Sequence, residues 1–350
     1  MHNAGCMKRG VTIKDIAKKL NMSVSTVSKA LNNDASISIY TSERVKALAK
    51  QLNYIPNEAA RHFKLAKSFT LGLIIPDILD QYYAVAANGV EETAGKHGYN
   101  VILTQSHEDE QKEEKIVDVM IRNRVDGVIV SITKNRADMA PFQKLLSIGI
   151  PVVCVGREPK SGQFDYVSSN NHDGGMMATE FLIGKGHRHI AHLMGPAGMR
   201  TSQARFEGYK QALANHGIPF REELVESVDL TRAGTFSAMK RLMQLPEPPT
   251  AIVTFKNYIT LDAIDYLKKN HPALVDKVQF TGFGNLPILH HLDHKPLASI
   301  EESSFEMGEE AARILFERIA EEDDGGEMVY RSSQLPCRLV VHDDVEEDAK

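Results

Sequence analysis

Short apolar runs alternate with helical segments along most of this chain, and this alternation constrains the fold more than any other feature. Strands that are apolar throughout and separated by helices require a parallel sheet covered on both faces. The alternation stops and restarts near Val167, so we predict two successive βα arrays that form two similar α/β lobes. The expected strands are 71–76, 101–104, 128–130, 151–155, 190–194, 250–254 and 278–282, and the expected helices are 84–98, 113–123, 179–187 and 205–216.

Two similar lobes predict a cleft between them. In parallel sheets, ligands bind outside the carboxyl ends of the strands. We therefore expect a ligand to contact the loops that follow each strand.

The first 32 residues show a different pattern, that of two short helices joined by a tight turn. Ile13, Ile16, Ala17 and Leu20 have the spacing of one helix face, and Thr12 with Asp15 can cap that helix. Ser23 can cap a second helix, in which Val27 and Leu31 face the first. Its outward residues are small, hydroxylic or basic, which suits a DNA major groove: Val24, Ser25, Thr26, Ser28 and Lys29. The alternative is an ordinary solvated helical hairpin.

Charge is distributed unevenly along the 350 residues. Residues 1–67 hold twelve Lys and Arg against four Asp and Glu, a net charge of +8, whereas the whole chain carries −5. The remainder is therefore strongly acidic. A basic head on an acidic body fits a protein that meets phosphate at one end only.

These motifs resemble the LacI family of bacterial transcription regulators. Residues 41–49 resemble the third helix of the family's DNA-binding headpiece, and 53–57 its link to a hinge helix. The resemblance extends from about Lys8 to about His342. Its specific pieces in the core are RVDGVI (124–129), GIPVV (149–153), GHRHIA (186–191), RFEGY (205–209), PTAI (249–252) and PLASI (296–300).

The resemblance implies a fold and a mode of action. It implies an all-α helix-turn-helix headpiece at 8–56, a hinge helix and linker at 57–67, and a core at 68–342 of two doubly wound parallel-sheet lobes like those of periplasmic binding proteins. We assign 68–166 and 296–330 to lobe 1, and 167–295 and 331–342 to lobe 2. A homodimer would bind a palindromic operator, most simply as a repressor, while a small effector, a sugar or sugar derivative, binds between the lobes.

The resemblance also implies which residues contact DNA. Phe63 stands where relatives wedge a leucine into the minor groove; phenylalanine can also intercalate, although Phe63 could instead be a linker aromatic packed on the core. The candidate DNA-binding residues are Thr12, Ser23, Val24, Ser25, Thr26, Ser28, Lys29, Asn32, Tyr54, Asn57, Ala60, Arg61 and Phe63.

The effector candidates follow the predicted strands. Tyr82 and Tyr83 fall where relatives stack aromatics on a ligand ring, although one of them could be core, and Arg205 falls where an arginine grips a sugar hydroxyl or carboxylate unless it forms an interlobe ion pair. Arg157 could serve the hinge between the lobes. Lys256 departs from the family pattern and would suit an anionic ligand group if it faces the cleft; the alternative is a solvated surface lysine. The full set is Tyr82, Tyr83, Ser131, Arg157, Thr201, Arg205, Phe255, Lys256, Asn257 and Asn285.

Other classes of protein receive little support from the sequence. We find no phosphate-binding glycine loop, no nucleophile elbow and no zinc-protease motif, so we expect neither enzyme activity nor a cofactor. The histidines at 187–192 and 290–294 lack ligand-spaced carboxylates or cysteines, so no metal is expected. The three cysteines, Cys6, Cys154 and Cys337, are interpreted as reduced thiols of a cytoplasmic protein. A transport receptor without regulatory DNA binding is the alternative function, disfavoured by the basic headpiece and by the lack of a signal peptide.

Overall fold

The computed structural model describes residues 11–54, 67–134, 136–159, 163–321 and 329–342. The chain divides into two compact units, Met1–Ser68 and Phe69–Lys350. Four of the predicted DNA-binding residues, Asn57, Ala60, Arg61 and Phe63, lie outside the described residues. The predictions made for the hinge segment therefore stay predictions.

The first unit contains three short helices: α1 (Ile13–Leu20), α2 (Val24–Leu31) and α3 (Ile39–Gln51). At the start of α1, the Asp15 carboxylate accepts hydrogen bonds from the Thr12 backbone N–H and from the Thr12 hydroxyl. Asn21 ends α1 with a φ of 53°, which turns the chain towards α2. The three helices share one small core, as the apolar spacing predicted: Ile16, Ala17, Val27, Ala30, Val45 and Ala49.

The second unit contains two six-stranded sheets, which confirms the predicted pair of lobes. The first sheet has the order β11-β5-β4-β3-β1-β2, and the second has the order β12-β10-β9-β8-β6-β7. Every neighbouring pair is parallel except β10 with β12. The strands are β1 (Thr70–Ile75), β2 (Asn100–Gln105), β3 (Gly127–Val130), β4 (Val152–Val155), β5 (Asp165–Ser169), β6 (Ile190–Met194), β7 (Val225–Ser227), β8 (Ala251–Thr254), β9 (Gln279–Phe283), β10 (Ala298–Glu301), β11 (Ser332–Leu335) and β12 (Arg338–Val341).

Helices cover both faces of each sheet. The helix predicted to begin at 179 begins at Asn171. The prediction began too late because Gly174 and Gly175 mask the helical pattern in the sequence. The helices of the second unit are α4 (Gln81–Lys96), α5 (Glu110–Asn123), α6 (Ala140–Ser147), α7 (Asn171–Gly184), α8 (Arg200–Asn215), α9 (Arg232–Met243), α10 (Asn257–Asn270) and α11 (Ser304–Ala320).

The predicted lobe boundaries need correction in the last third of the chain. Strand β10, at 298–301, belongs to the second sheet and not to lobe 1, whereas β11, at 332–335, belongs to the first sheet and not to lobe 2. Strand β5 also carries lobe 1 to Ser169, beyond the predicted 166. The crossings between lobes take only a few residues of ordinary composition, so no change of pattern marks them in the sequence.

Three crossing segments connect the lobes, and hydrogen bonds join them to one another. The Ser169 hydroxyl donates to the Glu302 carbonyl at 2.6 Å, and the Ser303 hydroxyl donates to the Pro336 carbonyl at 2.9 Å. The Cys337 thiol donates to the Asn170 carbonyl at 3.4 Å. The crossings therefore form one connected hinge at the base of the cleft.

Within the described ranges, no helix combines the length and apolar character needed to cross a membrane.

Candidate functional site

A cavity of about 380 Å³ lies between the two lobes, at the carboxyl ends of both sheets. Its size falls in the lower part of the range of small-molecule sites, roughly 300–1,000 Å³. Its wall mixes aromatic, acidic and basic side chains: Pro76, Asp77, Asp80, Tyr82, Tyr83, His107, Glu108, Lys134, Gly156, Arg157, Asn171, Met199, Thr201, Arg205, Asp229, Leu230, Thr231, Phe255, Lys256, Tyr258, Phe283, Gly284, Leu286 and Glu302.

Arg205, on α8, is the most enclosed cation of the cavity wall. Its guanidinium lies between the rings of Phe283, 3.6 Å from the ring centre, and Phe255, at 4.6 Å. It donates to the Asn171 side chain at 2.8 Å, to the Phe255 carbonyl, and to the Glu302 carboxylate. Arginine has five N–H donors, so two remain for a ligand.

The partner of Arg205 is a buried carboxylate in the hinge. Glu302 follows β10 in the crossing from the second lobe to the first, and it is 6% exposed. Burial raises the pKa of Glu302, and the adjacent Arg205 charge opposes that effect. The predicted alternative for Arg205, an interlobe ion pair, is therefore present alongside its place in the cavity wall.

Arg157 is held entirely within the first lobe. Its guanidinium makes two hydrogen bonds to Glu108, at 2.6 and 3.0 Å, and one to the Ile132 carbonyl at 2.6 Å. Although burial alone would raise it, these hydrogen bonds and the Arg157 charge lower the pKa of Glu108. Arg157 thus joins the loops after three strands of one sheet and does not bridge the hinge.

Lys256 faces the cavity, but its charge is already matched. Its ammonium lies 3.2 Å from Asp80, whose side chain also caps α4 by accepting from the Tyr82 N–H. The Lys256 side chain is 26% exposed, so the alternative of a solvated surface lysine is wrong. The pair joins the two lobes, together with hydrogen bonds from Tyr258 to the Leu79 carbonyl and from Gln81 to the Asn285 carbonyl.

Tyr82 and Tyr83 both line the cavity and pack edge to face, with ring centres 5.0 Å apart. Tyr83 is 8% exposed and belongs to the core of the first lobe. Burial raises the pKa of Tyr83 to about 12, so the phenol stays protonated and can donate a hydrogen bond. Gly156 makes room for the Tyr82 hydroxyl, since a Cβ there would lie 2.4 Å from it.

Three predicted effector residues do not line the cavity. Ser131 is fully buried at the end of β3. Asn257 is 1% exposed and donates to the Gly284 carbonyl and, at 2.7 Å, to the Ser299 hydroxyl, so it holds β9, β10 and α10 together. Asn285 accepts the Gln81 bond through its backbone and lies beside the cavity residues Gly284 and Leu286. Position after a strand was the correct signal, but neighbouring residues in a loop point in different directions.

None of the acidic residues in the cavity wall was among the predicted effector residues. Asp77 and Glu108 follow β1 and β2, Asp229 follows β7, and Glu302 follows β10. Each comes directly after the carboxyl end of a strand, so the rule that predicted the cleft could have found them. They were not predicted because the effector positions implied by the family resemblance lie elsewhere in the chain.

The histidines of 187–192 make structural contacts. His187 bonds to the Thr250 hydroxyl and the Gln279 side chain. His192 is fully buried and packs against the rings of Phe206 and Tyr209, and burial lowers its pKa to about 3, so it is neutral. No group of three or more His, Cys, Asp or Glu in the described ranges could hold a metal ion.

In the headpiece, the outward face of α2 is accessible. Ser25 and Lys29 are exposed, and Val24 is 42% exposed, whereas Thr26 and Ser28 are half-buried. Ser23 caps α2 by accepting from the Thr26 N–H at 3.0 Å. Among the other candidates, Asn32 is exposed and bonds to the Ser28 carbonyl, Thr12 is engaged with Asp15, and Tyr54 packs against the headpiece core.

The bridge between Lys256 and Asp80 leads to a testable prediction. Replacing Lys256 by Met should change the free energy of unfolding by less than about 1 kcal/mol, because the pair is partly exposed. It should nevertheless speed hydrogen exchange in peptides covering 76–81 and 256–260, because the lobes separate more readily. Asp80→Asn should do the same, and the double variant should exchange no faster than either single one. Additive increases would show that the pair does not act as a unit.

Two family models together match most of the chain. Residues 68–343 match the family model described as periplasmic binding proteins and sugar binding domain of LacI family. Residues 12–57 match the model for bacterial regulatory proteins, lacI family. The two matches are separated by residues 58–67, next to the division between the two compact units.

Individual relatives agree with the family models. The chain is 29% identical to the HTH-type transcriptional repressor CytR of Escherichia coli (strain K12), over 94% of this chain and 95% of that protein. A transcriptional regulator CelR–cellobiose complex is 27% identical, with a TM-score of 0.68, over 95% of this chain and 98% of that one. The lac repressor dimer bound to operator and the anti-inducer ONPF, 20% identical, shares the fold, with a TM-score of 0.79 over 95% and 98% of the two chains.

Proposed function

This chain belongs to the LacI family of bacterial regulatory proteins, and we propose that it represses transcription as a homodimer bound to a palindromic operator. It is an effector-controlled DNA-binding regulator rather than an enzyme. In our proposal it acts in the cytoplasm, where the chromosome lies, and a sugar or sugar derivative binds between the lobes of its core.

The observation that carries this proposal is the face of α2. An exposed row of small, hydroxylic and basic side chains stands on a unit of net charge +8. We propose that Val24, Ser25 and Lys29 contact base edges and that Thr26 and Ser28 hold phosphates. In the linker at 57–67, which lies outside the described residues, we propose that Phe63 wedges into the minor groove.

The cavity supports a polar effector of modest size. Arg205 has unused donors, Asn171 and Asp77 supply amide and carboxylate groups, and the aromatic rings of Tyr82 and Phe255 offer apolar faces. Planar polar groups beside aromatic rings suit a molecule with several hydroxyls, such as the cellobiose of the CelR complex. We propose Tyr82, Tyr83, Arg157, Thr201, Arg205, Phe255 and Lys256 as effector-contacting or site-shaping residues.

Binding of effector can alter DNA affinity only if the effector prefers one arrangement of the lobes. Both lobes contribute residues to the cavity wall. The Lys256–Asp80 pair and the hydrogen bonds among the three crossing segments join the two lobes. A ligand that spans this wall would therefore favour the closed arrangement. We propose that the hinge segment 57–64 transmits this change to the headpiece.

The test is selection of bound sequences from a random DNA duplex pool by the full-length protein at a stated salt concentration. We expect enrichment of a palindrome, with two half-sites related by the symmetry of a dimer. A variant with Lys29→Met should lose about 1–3 kcal/mol of binding to that palindrome if Lys29 contacts a base edge. Lys240→Met, on α9 of the core unit, serves as the control.

Failure would be equally informative. If no sequence is enriched, with or without candidate sugars, the operator-binding proposal is wrong and a ligand-binding protein without regulatory DNA binding becomes the better account. Enrichment of a single half-site without its inverted copy would contradict the homodimer.

A further inference from the structure

A second, smaller cavity adjoins the first, and Lys256 is not among its lining residues. Its volume is about 30 Å³, and it shares Lys134, Arg157, Met199 and Thr201 with the main cavity. A single water needs about 10–15 Å³ of such space. The small cavity therefore has room for a group of about two oxygen atoms, such as a carboxylate or the end of a phosphate.

The start of helix α8 forms one wall of this small cavity. The helix is 16 residues long, and its N-cap is Met199, whose side chain makes no capping hydrogen bond. Methionine offers no oxygen acceptor, so backbone N–H groups of the first turn lack the usual capping partner. Together with the helix dipole, such N–H groups make a helix N-terminus favourable for an anion.

Most of the charged side chains around this small cavity are basic. Lys134, Arg136, Arg157 and Arg200 line the small cavity, against one lining carboxylate, Glu158. The three arginines each have a carboxylate partner: Glu113 for Arg136, Glu108 for Arg157 and Glu158 for Arg200. Arg136 also lies 3.5 Å from Glu114, so the four cations face four carboxylates, and Lys134 is the one that forms no ion pair among the described residues.

An independent observation comes from buried polar atoms. Thr133 is 2% exposed and lines the small cavity, yet its hydroxyl has no hydrogen-bond partner among the described residues. The same holds for the buried Thr201 hydroxyl and for the Arg157 Nε. Buried polar groups in native proteins are nearly always satisfied, so three unsatisfied groups around one cavity indicate a missing ligand group.

We propose that this small cavity is an anion subsite that binds a carboxylate or phosphate group of the effector. The inference rests on the proposed function, because the rest of the effector would occupy the main cavity. Lys134 and the first turn of α8 balance the negative charge, and the hydroxyls of Thr133 and Thr201 donate to its oxygens. The effector class is then a sugar acid or sugar phosphate rather than a neutral sugar.

This assignment places the anionic group away from the residue that the sequence suggested. Lys256 is paired with Asp80 in the wall of the main cavity, so an anion there would have to compete with a carboxylate. At the small cavity, Lys134 forms no ion pair among the described residues, so an anion there would not have to displace a carboxylate from it. The two positions can be separated by mutation.

The test measures binding to the full-length protein by titration calorimetry and thermal stabilisation. The probes are inorganic phosphate and the matched pairs glucose and glucose 6-phosphate, glucose and gluconate, and ribose and ribose 5-phosphate. We expect the anionic member of at least one pair to bind at least tenfold more tightly than its neutral partner, and inorganic phosphate to compete with it.

Two variants test whether the preference for an anionic sugar arises at the small cavity. Lys134→Met should reduce the preference for the anionic member to less than threefold, and Arg200→Gln provides a second variant should Lys134→Met fold poorly. The control is Lys144→Met, which removes a lysine of α6 that is 59% exposed and paired with Asp118 on the surface. The control should retain the full preference.

Two results would overturn the anion subsite. One is equal affinity for neutral and anionic members in the unmodified protein; the other is a preference that survives both Lys134→Met and Arg200→Gln. The absence of stabilisation by phosphate and by every anionic sugar also counts against it. None of these results touches the proposed repressor function, which is decided separately by the DNA selection.

Discussion

Replacement of Arg205 by Met should destabilise the core unit by about 3–5 kcal/mol, because it leaves the buried Glu302 carboxylate without its cation. Both side chains of this pair are less than a tenth exposed, at 5% and 8%. Urea unfolding, followed by far-UV circular dichroism, measures the loss in the free energy of unfolding. The same variant should lose effector binding, since Arg205 lies in the cavity wall.

The matched control is Arg232→Met. Arg232 pairs with Asp265, but its side chain is 55% exposed, so its loss should cost less than about 1 kcal/mol. A second check is the double variant with Arg205→Met and Glu302→Gln, which removes the unpaired charge and should recover at least half of the lost stability. A double variant no more stable than Arg205→Met alone would show that the cost comes from lost packing between Phe255 and Phe283.

The pH dependence of the Arg205→Met defect has a defined sign. Burial raises the pKa of Glu302, and removal of the Arg205 charge would raise it further. A carboxyl whose pKa is higher in the folded state binds its proton more tightly there, so stability falls as the pH rises above the unfolded value. The defect should therefore be smaller at pH 5 than at pH 8, and it should lose this pH dependence when Glu302 is Gln.

Gly208→Ala should be the other strongly destabilising substitution, with a cost of about 3 kcal/mol or more. At Gly208, α8 crosses α7 so closely that a Cβ would lie 2.0 Å from the His172 carbonyl oxygen. At Gly175, on α7, a Cβ would lie 2.2 Å from the Arg205 carbonyl oxygen. The contacts are with backbone, so the two helices would have to move apart.

The Gly208→Ala substitution should also affect effector binding, because α8 carries two residues of the cavity wall. Arg205 and Thr201 both project from this helix into the cavity, so a shift of α8 should weaken effector binding as well as stability. Gly184→Ala, near the end of α7, is the control: a Cβ there meets nothing within 4 Å, and alanine should be neutral or slightly stabilising. Equal effects of the two substitutions would mean that the helix crossing tolerates separation.

The local spacing of apolar residues was sufficient to predict most of the helices and strands. The apolar spacing around Ile16 and Val27 predicted the first two helices of the headpiece, because a short amphipathic helix can bury only one face, and the resemblance to the LacI family implied the third. The fully apolar strands predicted two parallel sheets for the same kind of reason, since strands buried on both faces have no polar alternation. The rule that ligands bind at the carboxyl ends of such strands then placed the cleft.

Local pattern failed where contacts between distant segments decide the outcome. Whether β10 joins the first or second sheet depends on pairing with β9, which the composition of β10 does not encode. Asn257 and Lys256 are neighbours in sequence, yet one fastens β10 while the other faces the cavity.

The sequence by itself therefore determined the class of this protein: a basic helix-turn-helix headpiece, a core of two α/β lobes and a cleft for a small molecule. It did so because periodic burial is a local property of each helix and strand. Only the tertiary structure decided which charges are available in the cleft, because each ion pair joins residues far apart in the chain. Asp80 neutralises Lys256 and Glu302 neutralises Arg205, whereas Lys134 and the uncapped start of α8 remain to attract an anion.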